Sequence, residues 1–137
     1  YFVCRMRRIA KSATEIARVT GVKKKNVIKF YRVVVDVTGH NFKSFTVREY
    51  VDRYCAELRM FDKKDRVIEL VSGIDDGSGK VNSRVAVAGA IYKVVCDEHL
   101  PIQQSKIMEV TGVSGTSIRK IRKVLDEHDK QKRSRDD

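Results

Sequence analysis

The sequence predicts an all-α protein built from two copies of one helical unit, each ending in a helix-turn-helix. Three observations carry this. Sliding the chain against itself by 91 residues aligns Tyr1–Val34 with Tyr92–Leu125 without a gap, and Tyr1/Tyr92, Val3/Val94, Ile16/Ile107, Gly21/Gly112, Lys29/Lys120 and Val33/Val124 are identical. The tetrapeptide VTGV stands at Val19–Val22 and again at Val110–Val113, each time followed by a basic amphipathic run. Pro is used once and Gly eight times against 42% apolar residues, which fits helices better than a turn-rich sandwich. A repeat this long means duplicated structure.

The first copy starts inside a helix. Its partner in the second copy, Asn82 to Cys96, is apolar almost all round, the mark of a helix at the centre of a bundle. Ala86, Ala88, Gly89 and Ala90 let neighbours approach it closely. Two helices precede that segment in the second copy. Phe45 to Met60 places Val47, Tyr50, Val51, Tyr54, Cys55 and Leu58 at helical spacing, and Lys63 to Val71 repeats the pattern briefly. The stretch SGIDDGSGK then breaks the chain, with Asp75 and Asp76 as turn formers. Gln103 to Val110 and Thr116 to His128 complete five helices. The equivalents of the first two are expected upstream of Tyr1.

In both copies a helix, a three-residue turn with Gly21 or Gly112, and a second helix follow one another. Gly suits the turn because it adopts positive φ at no steric cost. Ala17 and Val27 stand where the two helices touch; the second copy has Met108 and Ile118 there, so the small residue is missing. At 100° per residue, Ile118, Ile121 and Leu125 fall on one side of the last helix, with Thr116, Arg119, Lys120 and Lys123 on the other. With its apolar side buried, that helix presents a Thr and three cations, a face suited to a major groove. The first copy presents Lys25, Lys29 and Arg32 but has Ile28 in place of Arg119. An exposed Ile cannot read a base edge, so this face is expected to hold phosphates or an acidic protein surface.

Charge is segregated the same way. Of the net +11, residues 1–32 hold +9, residues 33–118 hold −1 and residues 119–137 hold +3. A block with a single acid, Glu15, repels itself and points to a polyanion or an acidic protein as partner. Other chemistries find little support. Cys96 and His99 have a C-x-x-H spacing without a second pair of ligands, so a small thiol and a surface His are expected there. Gly77–Lys80 looks like part of a phosphate loop, but no Ser or Thr follows Lys80 and no strand precedes it, so an interhelical loop is expected. Cys4, Cys55 and Cys96 suggest no disulfide framework and a reducing compartment. No pair of carboxylates or nucleophile–base pair recurs at a usable spacing, which argues against an enzyme. The longest apolar stretch, Val85 to Val95, is interrupted by Lys93 and falls short of a bilayer span.

Four stretches carry a resemblance: Ala90–Tyr92 (AIY), Gly112–Lys120 (GVSGTSIRK), Cys4–Arg5 and Glu15–Val27 (EIARVTGVKKKNV). They resemble the C-terminal core of transcription factor IIB, called transcription factor B in archaea, which consists of two cyclin-like five-helix repeats. The likeness runs to about His128. It implies the end of a first repeat over 1–39, a second repeat over 44–128 and a charged tail over 129–137, the last expected to be disordered. It also implies a monomeric, non-enzymatic factor that binds the TATA-binding protein and double-stranded promoter DNA and recruits RNA polymerase, in the nucleus or the archaeal cytoplasm. No cofactor is implied within this chain; a zinc ribbon would lie upstream. By the same resemblance the last helix enters the major groove, with Arg119 in a reading position and Thr116 where the family has Val. Arg5, Lys24 and Lys25 match residues that face the TATA-binding protein or phosphates, beside Lys29 and Arg32. A paralogous factor of RNA polymerase III shares these repeats. A cyclin- or pocket-like protein-interaction module without DNA binding is the rival from another class.

Overall fold

The structure, a computed structural model, describes residues 1–75 and 78–136. The turn-forming role expected of Asp76, the Gly77 end of the GSGK loop and the last tail residue, Asp137, lie outside the described residues. Regular structure among the described residues is entirely helical, and the chain divides into two compact units, Tyr1–Phe45 and Thr46–Asp137.

The first unit holds α1 (Phe2–Met6), α2 (Ala13–Thr20) and α3 (Lys24–Thr38). A capping box starts α2: the Glu15 N–H donates to Ser12 Oγ at 3.2 Å, and the Ser12 N–H donates to Glu15 Oε2 at 2.8 Å. These bonds satisfy two backbone donors that a helix start leaves without partners. Gly39, at φ +71°, ends α3 with its N–H on the Val35 carbonyl. The chain then folds back on α1. The Phe2 ring meets Phe42 and His40 at 5.3 and 5.6 Å, and the Arg5 and Arg8 guanidinium groups lie over the Phe45 ring. Phe45, expected to open the next helix, belongs to this unit, and that helix begins after its Thr46 cap instead. No residue of α3 is buried, and Phe30 and Val37 are 60% and 82% exposed.

The second unit holds α4 (Val47–Glu57), a 3-10 turn at Phe61–Lys63, α5 (Lys64–Ile74), α6 (Ser83–Asp97), α7 (Gln104–Thr111) and α8 (Gly115–Asp136). α6 is the hub, touching α4, α5, α7 and α8. Its residues from Ala86 to Ile91 and from Lys93 to Val95 are all buried. Val51, Tyr54 and Cys55 from α4, Val67 and Val71 from α5, Ile107 from α7 and Ile118 and Leu125 from α8 complete one core. Each fully buried Val, Leu or Ile in it contributes about 1.5–3 kcal/mol. A Cβ added to Gly89 would fall inside the Ile121 side chain, so α6 and α8 meet closely at this glycine.

The duplication shows in detail. Shifted by 91, the first residues of α2 and α3 fall on those of α7 and α8. Thr20 Oγ1 donates to the Ile16 carbonyl and Thr111 Oγ1 to the Ile107 carbonyl, both at 2.7 Å. Arg8 and His99 share a left-handed backbone, φ 56° and 52°, where α1 and α6 stop. The copies part at their ends. α8 runs unbroken to Asp136, so the tail expected to be disordered is helical there. Lys130 stands where Gly39 stops α3, and Lys, Gln and Arg beyond it are strong helix formers.

Candidate nucleic-acid interface

The turn between α7 and α8 is built from the backbone outward. Gly112 sits at φ +68° and its N–H donates to the Met108 carbonyl at 2.8 Å. The Val113 N–H donates to Thr111 Oγ1 at 3.3 Å, which turns the chain and points Val113 into the core. The Ser117 N–H donates to Ser114 Oγ, supplying the acceptor that the first turn of α8 lacks. Arg84 Nη1 donates to the Thr111 carbonyl at 3.2 Å, tying the end of α7 to α6.

The absent small residue at Met108 is made good from the opposite helix. Gly115 opens α8, and a Cβ there would lie 3.4 Å from Met108 Sδ, 3.0 Å from Gln104 Nε2 and 3.1 Å from Arg119 Nη1. The two helices approach through Gly115, and the Arg119 guanidinium lies across it.

α8 faces both ways, as its periodicity requires. Ile118 and Leu125 are 0% and 1% exposed, and Ile121 packs on the same core. The outward set, Thr116, Arg119, Lys120 and Lys123, is exposed, and the Arg119 guanidinium reaches back over Gly115. The fourth cation of this stretch, Arg122, lies elsewhere, over the Tyr92 ring and 3.7 Å from Asp126.

One group that the sequence reading passed over fixes this face. Lys93 is buried in α6, and its Nζ donates to Asp126 at 2.6 Å with Asp97 at 2.9 Å and Asp129 at 3.3 Å. Burial alone would push its ammonium down, but the hydrogen bonds to Asp126, Asp97 and Asp129 hold it above the ordinary lysine range. Arg66 adds a contact to Asp129 at 3.7 Å. Asp126 and Asp129 are therefore turned towards the bundle. The signal in the sequence was a lone Lys in an apolar helix and two Asp three residues apart.

In the first unit the turn is repeated with different surroundings. Gly21 sits at φ +74° and its N–H donates to the Ala17 carbonyl at 2.9 Å. Lys24, Lys25, Lys29 and Arg32 are exposed, which leaves them open to a partner. Arg5 is held within the unit: its Nη2 donates to the Phe42 and Lys43 carbonyls at 3.4 and 3.2 Å, because that non-helical stretch needs donors. Ile28, expected to be exposed, is half-buried. Among the described residues no group of three or more His, Cys, Asp or Glu could hold a metal ion; Cys96 is half-buried and His99 exposed. Among them, too, no helix is long and apolar enough to cross a membrane.

No family model matches this chain. It is 30% identical over 131 residues to transcription initiation factor IIB 1 of Thermoplasma volcanium, covering 93% of this chain and 42% of that protein. To transcription initiation factor IIB 7 of Halobacterium salinarum it is 30% identical over 125 residues, covering 87% and 38%. To transcription initiation factor IIB of Dictyostelium discoideum it is 28% identical over 130 residues, covering 91% and 40%. The chain thus spans about two-fifths of the length of the curated relatives it matches.

Proposed function

We propose that this chain, a divergent relative of the core of transcription initiation factor IIB, is the promoter-binding core of a transcription initiation factor. On this reading it works by binding alone. α8 lies in a major groove, where Arg119 takes a guanine bidentately, Thr116 meets a neighbouring base, and Lys120 and Lys123 hold phosphates. Lys24, Lys25, Lys29 and Arg32 hold phosphates or an acidic surface of the TATA-binding protein; Arg5, already bound to two carbonyls, contributes by shaping α1. The assembly recruits RNA polymerase, in a nucleus or in archaeal cytoplasm.

The observation that carries this is the two-sided α8: Ile118 and Leu125 are buried, while Thr116, Arg119, Lys120 and Lys123 are exposed. Binding to duplex DNA should weaken steeply with salt, because each phosphate contact releases counterions, and should tighten with TATA-binding protein. Arg119→Ala should cost about 1–3 kcal/mol on a selected sequence and relax base choice at one position. An equal loss on every sequence would reduce Arg119 to a phosphate contact, and salt-independent binding would remove the electrostatic basis of the reading.

A second reading, a protein-interaction module without DNA binding, draws on the first unit. There Tyr1, Ile16, Val22, Phe30 and Val34 line an open apolar groove of about 300 Å³. Absence of duplex binding together with capture of a partner protein that Phe30→Asp abolishes would favour it.

A further inference from the structure

We propose that Lys130 and Arg133, at the far end of α8, form a second, sequence-blind phosphate contact that lengthens the cationic stripe of Arg119 and Lys123 along a duplex. This rests on the nucleic-acid reading of the first half of the helix.

The chain continues here where its own copy stops. α3 ends at Thr38 with Gly39 in the left-handed conformation; α8 carries Lys130 at that place and stays helical to Asp136. The extension is fixed in direction by its acids. Asp126 and Asp129 are drawn to Lys93 at 2.6 and 3.3 Å, and Asp129 also to Arg66. With those carboxylates turned inward, Lys130, Lys132, Arg133 and Arg135 are left exposed, and none of them makes an ion pair among the described residues.

Helical geometry sets the line. At 100° per residue, Lys123, Lys130 and Arg133 lie within about 40° of Arg119, as does Asp126, which is bound to Lys93, whereas Lys132 and Arg135 fall on the opposite side. The eleven residues from Arg119 to Lys130 rise about 16 Å. A straight helix cannot follow a curving groove for that length. If it lies along a major groove about 12 Å wide, its first half faces base edges and its far end meets the phosphates bounding the groove. The bland alternative is that Arg133 and Arg135 only complement the negative end of the helix dipole. That account leaves Lys130, and its alignment with Arg119, without a role.

The test uses the full chain, a duplex selected by it from a random pool, and a scrambled duplex of equal length. Neutralising both cations together (Lys130→Gln, Arg133→Gln) should weaken binding to both duplexes by the same factor. The slope of log affinity against log salt should fall by about 1–2, close to 0.9 for each phosphate no longer neutralised. Helix content by circular dichroism should hold. Gln131→Pro keeps every cation but breaks the helix, and should lose the same increment of slope. An unchanged slope in the neutralised variant with the helix intact overturns the proposal, as does a loss confined to the selected duplex. A full slope in Gln131→Pro overturns the ordered stripe. If Arg119→Ala still relaxes base choice in such a case, only the second contact has failed. If the wild-type chain binds neither duplex, both readings fall.

Discussion

Gly89→Ala is the sharpest probe of how α8 is held. The added Cβ would overlap Cβ and Cγ2 of Ile121, and it would stand 3.4 Å from the Ile118 carbonyl oxygen. A terminal methyl could swing aside, but Ile121 Cβ is fixed to its backbone and a β-branched side chain has one strongly preferred rotamer in a helix. To restore an ordinary carbon–carbon separation of about 3.5–4.0 Å, α8 itself must back away from α6. Overpacking of this kind costs about 1–3 kcal/mol, and the upper end applies where backbone must move. Replacing Gly by Ala in a helix returns about 0.8–1.0 kcal/mol, so a net loss of about 2 kcal/mol is expected in urea unfolding. Ile121→Ala alone should cost about 2 kcal/mol, the low end for a core Ile because the residue is only partly buried. Because Ile121→Ala keeps the Cβ that the added one would overlap, the double variant should recover little and fall about 4 kcal/mol below wild type. Gly89→Ala within about 0.5 kcal/mol of wild type, or a double variant as stable as Ile121→Ala alone, would refute the claim that the Cβ contact sets the helix spacing.

Two further outcomes follow from buried groups of the second unit. Lys93→Met should lower stability by about 2–3 kcal/mol, less than the roughly 3–5 of a fully buried pair because its three aspartates are partly exposed; a loss under about 0.5 kcal/mol in denaturant titration, the range of an ordinary surface change, would show that the hub holds nothing. Cys55 is fully buried, and burial, opposed by Lys64 and aided by Asp52, pushes its thiol up to about 11 from an ordinary value near 9. The unfolded chain therefore loses this proton first, so stability should be full below about pH 9 and decline from there towards about pH 11, by up to about 1.4 kcal/mol per pH unit from this group. Cys55→Ala should flatten the alkaline limb of a melting-temperature profile, and an unchanged limb would exclude the thiol as its cause.

The legible parts of this molecule were the local ones. The turns were readable because Gly21 and Gly112 must supply positive φ, and the helix faces because Ile118, Ile121 and Leu125 repeat at helical spacing. Contacts between distant residues were not. Lys93 meets Asp126 and Asp129 far along the chain, and only the fold shows that a charge in the central helix is bound rather than misplaced. Arg5 looked like a surface cation because the carbonyls it serves, at Phe42 and Lys43, belong to a segment with no periodicity of its own. The tail failed on composition: charge alone suggested disorder, whereas its inward acids and its strong helix formers carry the helix on.

The two turns also show how one backbone plan can serve different surfaces. In the first copy the small residue at the turn is Ala17, leaving the start of α3 free to carry Lys23, Lys24 and Lys25, three long cations on separate stems. In the second copy the close approach has moved across to Gly115, and Met108 fills the other side. A glycine at the start of α8 removes a cation from that place and opens the space in which the Arg119 guanidinium lies, 3.1 Å from where a Cβ would be. Several long cations suit a phosphate surface, which rewards charge and asks for little geometry. A single Arg resting against its own helix loses less freedom on binding and presents its planar fork in a defined direction, which a base edge requires. The exchange of one small residue between facing helices is thus enough, on the proposed reading, to separate a copy that grips from a copy that discriminates.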